Sequence, residues 1–92
     1  MGAKQTFPRI KYWVKEYGQA GIEDQRAMEN FMECETREMM GPLQAQLHSI
    51  VKGNFEEKTL DQVVGKKRKA KYGSYEQWAK LMLLWLGEYK QT

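Results

Sequence analysis

The sequence predicts an all-α fold, a compact bundle of four or five helices packed around the C-terminal helix, and three observations carry that expectation. The first is the densest apolar run of the chain, in 75–89, where Tyr75, Trp78, Met82, Trp85 and Tyr89 recur at helical steps with Leu81 and Leu86 beside them. The second is that shorter stripes of the same period fill most of the remaining chain. The third is that Gly and Pro punctuate the stripes, as at Gly18, Gly41-Pro42, Gly53 and Gly73.

The C-terminal segment has the clearest punctuation. Ser74 is a good N-cap for a helix at 75–89, and Gln77 stands three residues on, the spacing of a capping box. At about 100° per residue, Glu76, Gln77, Lys80 and Glu88 occupy roughly 120° of arc, which leaves about 240° apolar. Such a helix is either central to the fold or has one face for a second chain. Leu84 lies inside the polar arc and Leu83 at its edge, so these two residues are the candidate interface of a homo-oligomer. The run falls short of the ~20 apolar residues that cross a bilayer.

Upstream, Pro8 suits the first turn of a helix over 8–17, with Ile10, Trp13, Val14 and Tyr17 on one face. The same residues also alternate as a strand would, with Ile10, Tyr12 and Val14 on one side. A second helix is expected over 22–40, opened by Glu23 and Asp24 and lined by Ala27, Met28, Phe31, Met32 and Met39. Gly41-Pro42 ends it, since proline cannot donate to the preceding turn. A third helix, 42–52, carries Leu43, Leu47, Ile50 and Val51. Thr59 and Gln62 repeat the capping-box spacing before a fourth, 60–71.

The chain of 92 residues reads as a single helical domain, 1–92, which buries on the order of 60–65% of its extended surface. Hydrophobic residues at 41% and charged residues at 29% are the balance of a folded chain rather than a disordered one. Cys34, the single cysteine, excludes an intramolecular disulfide framework, and no apolar h-region stands near the N-terminus; the expected location is cytoplasmic.

Charge is unevenly placed. Residues 1–17 carry +3, residues 22–40 carry −4 and residues 52–80 carry +4. The acidic segment either pairs with basic ones inside the fold or leaves a basic face for an anionic partner. Lys66, Lys67, Arg68, Lys69 and Lys71 form the most specific functional signal, five cations in six residues whose mutual repulsion calls for an anionic neighbour. They are the candidate anion- or nucleic-acid-binding residues, with Tyr72 and Tyr75 near enough to stack on bases. Against that, cations late in a helix also satisfy its dipole and lie well beside an acidic helix. A helix-turn-helix over the last two segments is disfavoured, because its second helix would present Trp and Leu to the major groove.

The first six residues fit the M-G-x-x-x-[ST] pattern, which makes Gly2 a candidate for N-myristoylation, with Lys4, Arg9, Lys11 and Lys15 as the basic second signal. This combination is similar in plan to viral matrix proteins, which are small, helical, basic and often myristoylated. Met28, Met32, Met39 and Met40 read as core or as an adaptable partner surface. Glu29, Glu33 and His48 match no metal-ligand spacing, Cys34 and His48 lack an orienting partner and an oxyanion hole, and no glycine-rich phosphate loop is present; no metal, cofactor or catalytic residue is expected. The expected function is a non-enzymatic assembly and partner-binding domain with a basic surface. Nucleic-acid binding through 66–71 is the alternative and a myristoylated peripheral membrane protein the second.

Overall fold

In a computed structural model, residues 6–19 and 21–91 are described, with the side chains of Arg37 and residues 88–91 outside the description. Gly2 and Lys4, and the side chains of Glu88 and Tyr89, therefore lie outside the described residues. Six α-helices follow in order: α1 (Pro8–Glu16), α2 (Asp24–Cys34), α3 (Arg37–Val51), α4 (Glu57–Val63), α5 (Lys66–Tyr72) and α6 (Tyr75–Gln91). The radius of gyration, 12.4 Å, matches the value of about 12 Å for a compact chain of this length.

Ser74 starts α6 as its sequence suggests, its Oγ accepting the Gln77 amide at 3.1 Å. Tyr75, Trp78, Ala79, Met82 and Leu86 are buried along one face, and the helix packs on α2, α3 and α5. Trp85 and Leu83 are partly buried at the margin of the core. The stripe facing α6 comes from Ala27, Met28, Phe31 and Met32 on α2 and Leu43, Leu47 and Ile50 on α3, all buried. Phe7, Ile10, Trp13, Leu60 and Val64 complete the core.

α1 is helical rather than extended, with Pro8 in its first turn. The cap comes from another helix: Gln46 of α3 accepts the Arg9 and Ile10 amides on Oε1 at 3.0 and 3.2 Å. Phe7, just before it, holds a left-handed φ of 51° while fully buried, a strained conformation for an aromatic residue that its packing maintains.

Several expected boundaries are corrected. The helix expected over 22–40 ends at Cys34, and α3 begins at Arg37 and runs through Gly41-Pro42, where a break was expected. Glu35 takes extended geometry (φ −105°, ψ 159°) at the junction. Its Oε2 accepts the hydroxyls of Tyr12 at 2.8 Å and Tyr17 at 2.6 Å, so α1 fixes the corner between α2 and α3. A proline inside a helix costs about 3 kcal/mol. Burying Leu43, Leu47 and Ile50 contributes about 1.5–3 kcal/mol each, and exposed Pro42 leaves that register intact.

The segment 60–71 is two short helices, not one. Gly65 (φ 104°) breaks it, its amide donating to the Leu60 carbonyl at 3.0 Å while its own carbonyl receives Arg68 N–H at 3.2 Å. Glu57, not Leu60, opens α4, so Thr59 sits inside its first turn rather than at its cap. These divisions give six helices among the described residues in place of the four or five expected.

Candidate anion-binding site

The run 66–71 lies on α5, a helix of seven residues between the glycines Gly65 and Gly73. Consecutive residues of a helix point about 100° apart, so the five cations have different surroundings. Arg68 turns inward. Its Nε and Nη2 donate to the Asp24 carboxylate at 2.9–3.1 Å, Nη2 donates to the Gly18 carbonyl at 2.6 Å, and Nη1 donates to the Val64 carbonyl at 3.2 Å. The guanidinium also lies 5.7 Å from the centroid of the Trp13 ring.

Asp24 is buried at the start of α2, and it also accepts the Trp78 indole N–H at 2.9 Å. One carboxylate thus joins α2, α5 and α6, with Gly18 and Trp13 drawn in through Arg68. Sequence reasoning assigned Asp24 only to the N-terminal charge of its helix. It does stand in the first turn of α2, and nothing local marks its second role, since Arg68 and Trp78 are 44 and 54 residues away.

Two further cations of the run have carboxylate partners at the surface. Lys69 pairs with Glu57 of α4, and Lys71 lies 3.4 Å from Glu23. The Lys69 ammonium is held above its ordinary value chiefly by the hydrogen bond to Glu57. That of Lys71 is raised first by Tyr72 and then by Glu23. Both ammonium groups also sit over tyrosine rings, Lys69 at 5.8 Å from Tyr75 and Lys71 at 5.4 Å from Tyr72. Lys66 and Lys67 are exposed and make no ion pair with another described residue.

Two hollows flank α5. One, of about 490 Å³, is lined by Glu57, Asp61, Lys66, Lys69, Ala70 and Gly73. Asp61 in its wall accepts the Tyr75 hydroxyl at 2.5 Å, which together with burial raises the Tyr75 phenol above its ordinary value, burial being the larger cause. The other, of about 370 Å³, lies between α5 and the turn joining α1 to α2, with Lys67, Arg68 and Lys71 on one side and Gly18, Gln19 and Ile22 on the other.

The remaining candidates lie elsewhere. Leu84 is 51% exposed on the outer face of α6, and Leu83 beside it packs partly against the core. Cys34 and His48 are exposed and line neither hollow. Among the described residues no group of three or more His, Cys, Asp or Glu is placed to hold a metal ion, and no helix is long and apolar enough to cross a membrane. Comparison with protein families, with curated proteins and with solved structures finds no match for this chain.

Proposed function

We propose that this chain is a non-enzymatic partner-binding domain that takes an anionic partner on the exposed side of α5, in a fold arranged around its C-terminal helix. The observation that supports this reading is the division of labour within the basic run. Arg68 anchors the helix to the core and Lys69 and Lys71 have carboxylate partners, which leaves Lys66 and Lys67 facing solvent without an ion pair to another described residue. Two uncompensated cations on one short helix favour an anion from outside.

The test is the salt dependence of binding to duplex DNA and to poly-glutamate. Two phosphates contacted give a slope of about −1.8 in log K against log salt, so affinity for DNA falls about tenfold between 50 and 200 mM salt, with no preference for base sequence. Replacing Lys66 and Lys67 together by Gln flattens that slope and weakens both polyanions. Failure of both to bind at low salt ends the reading. Sedimentation with anionic vesicles only when Gly2 is acylated would move it to the membrane alternative.

A second reading is self-association through α6. Leu84, one of two exposed large hydrophobic side chains among the described residues, supports it. On this reading light scattering gives the mass of a dimer, and Leu84→Glu gives that of a monomer; a wild-type monomer at tens of micromolar, the range of modest affinity, removes it.

A further inference from the structure

The hollow between α5 and the turn joining α1 to α2 combines features that a purely electrostatic surface does not need. Ile22, the other exposed large hydrophobic side chain among the described residues, is 41% exposed on its wall. Beside it Gly21 takes φ 90°, and the Ile22 amide donates to the Gln19 carbonyl at 3.2 Å. Opposite stand Lys67, exposed and without an ion pair to another described residue, and Lys71, whose ammonium is 3.4 Å from exposed Glu23. Arg68 and Asp24 close the inner side as a mutually neutralised pair.

From this juxtaposition we propose that the hollow binds an acidic peptide segment of a partner protein, one carboxylate on Lys67 and an adjacent aliphatic side chain on Ile22. The proposal rests on the anion-binding reading above and specifies its partner. Charge complementarity favours a peptide over a nucleic acid. Duplex DNA is a dense polyanion, with one negative charge per about 1.7 Å of axis counting both strands, whereas Lys67 is the one cation lining this hollow without a carboxylate partner among the described residues. One carboxylate beside one aliphatic group matches one available cation beside one exposed isoleucine, and covering Ile22 adds an apolar contribution that a polyphosphate does not supply.

The experiment uses three fluorescein-labelled probes on the full chain, read by anisotropy: an eight-residue peptide of alternating Glu and Leu, a peptide with the same number of Glu and with Ser in place of Leu, and a short duplex DNA. The Glu/Leu peptide is expected to bind most tightly. Ile22→Ser should weaken it about fivefold while leaving the Glu/Ser peptide and DNA unchanged, and Lys67→Gln should weaken both peptides. In amide chemical-shift mapping, the Glu/Leu peptide should perturb Gly18, Gln19, Gly21 and Ile22. Equal binding of the two peptides, insensitivity to Ile22→Ser, or shifts confined to other surfaces would overturn the proposal while leaving the anion-binding reading standing. Loss of binding by all three probes at low salt would remove both.

Discussion

Arg68 and Lys67 are neighbours of like charge whose replacement should have very different effects on stability. The Arg68 side chain is 17% exposed and its partner Asp24 6%, so removing the guanidinium strands a buried carboxylate that also holds the Trp78 indole. Breaking such a pair from one side costs about 3–5 kcal/mol. Arg68→Gln should therefore lower the unfolding free energy by about that amount in urea titrations, whereas Lys67→Gln, at an exposed site, should stay within about 0.5 kcal/mol. Equal and small effects would mean that Asp24 is satisfied without Arg68. Gly18 is part of the same arrangement. A Cβ there would stand 2.7 Å from a carbon of the Trp13 ring and 2.8 Å from Nη2 of Arg68. Both neighbours are fixed, one by burial and one by its hydrogen bonds, so Gly18→Ala should destabilise by about 1–3 kcal/mol. An alanine variant as stable as wild type would show that the ring and the guanidinium move apart freely. Trp13 brings its own cost, since its indole N–H is buried without a hydrogen-bond partner among the described residues.

The junction between α2 and α3 depends on a titratable contact. The Tyr17 and Tyr12 hydroxyls, in that order, hold the Glu35 carboxyl below the usual glutamate range, with burial opposing them. The same hydrogen bonds, followed by burial, raise both phenols. A lowered folded-state value means that the Glu35 contribution is present above its unfolded value of about 4.3 and is lost as pH falls through the lower folded one. Raised tyrosine values mean that their contribution is present below about 10 and is lost as pH rises through the higher folded ones. The difference in Tm between wild type and Glu35→Gln should accordingly be flat from about pH 5 to 9 and shrink toward zero below about pH 4. A constant difference down to pH 3 would count against it. The same junction explains why one helix boundary was misplaced from sequence. Gly41-Pro42 is the strongest local stop signal in this part of the chain, and the actual stop depends on tyrosines 18 and 23 residues away. Pro42 inside α3 leaves a removable cost. Pro42→Ala should restore the amide and raise stability by about 2 kcal/mol, the helix-interior penalty less the unfolded-state entropy that proline removes. An unchanged urea midpoint would mean that the helix has already adapted to the ring.

At the scale of the molecule, what was legible in the sequence is what is encoded locally. α6 could be read because its cap, its preceding glycine and its apolar spacing all lie within its own residues, and the all-α class follows from the same period elsewhere. The candidate site was legible only as composition. Five cations in six residues are visible in the sequence, but which of them lack an ion pair depends on Asp24, Glu23 and Glu57, placed around α5 by the packing of other helices. Gly65, which separates α4 from α5, could have been read from sequence as a helix break. The dependence of distant elements on α6 makes a prediction for the whole chain. Cutting after Gly73 removes the buried side chains of Tyr75, Trp78, Met82 and Leu86 and the indole that donates to Asp24. At about 1.5–3 kcal/mol for each large side chain, the loss is about 6–12 kcal/mol. A domain of this size has about 5–14 kcal/mol in total. Residues 1–73 should therefore lack a cooperative transition in thermal and urea unfolding followed by circular dichroism, while the full chain shows one. A cooperative, two-state transition in residues 1–73 would mean that α1 to α5 form a self-sufficient core and that α6 is an addition to it.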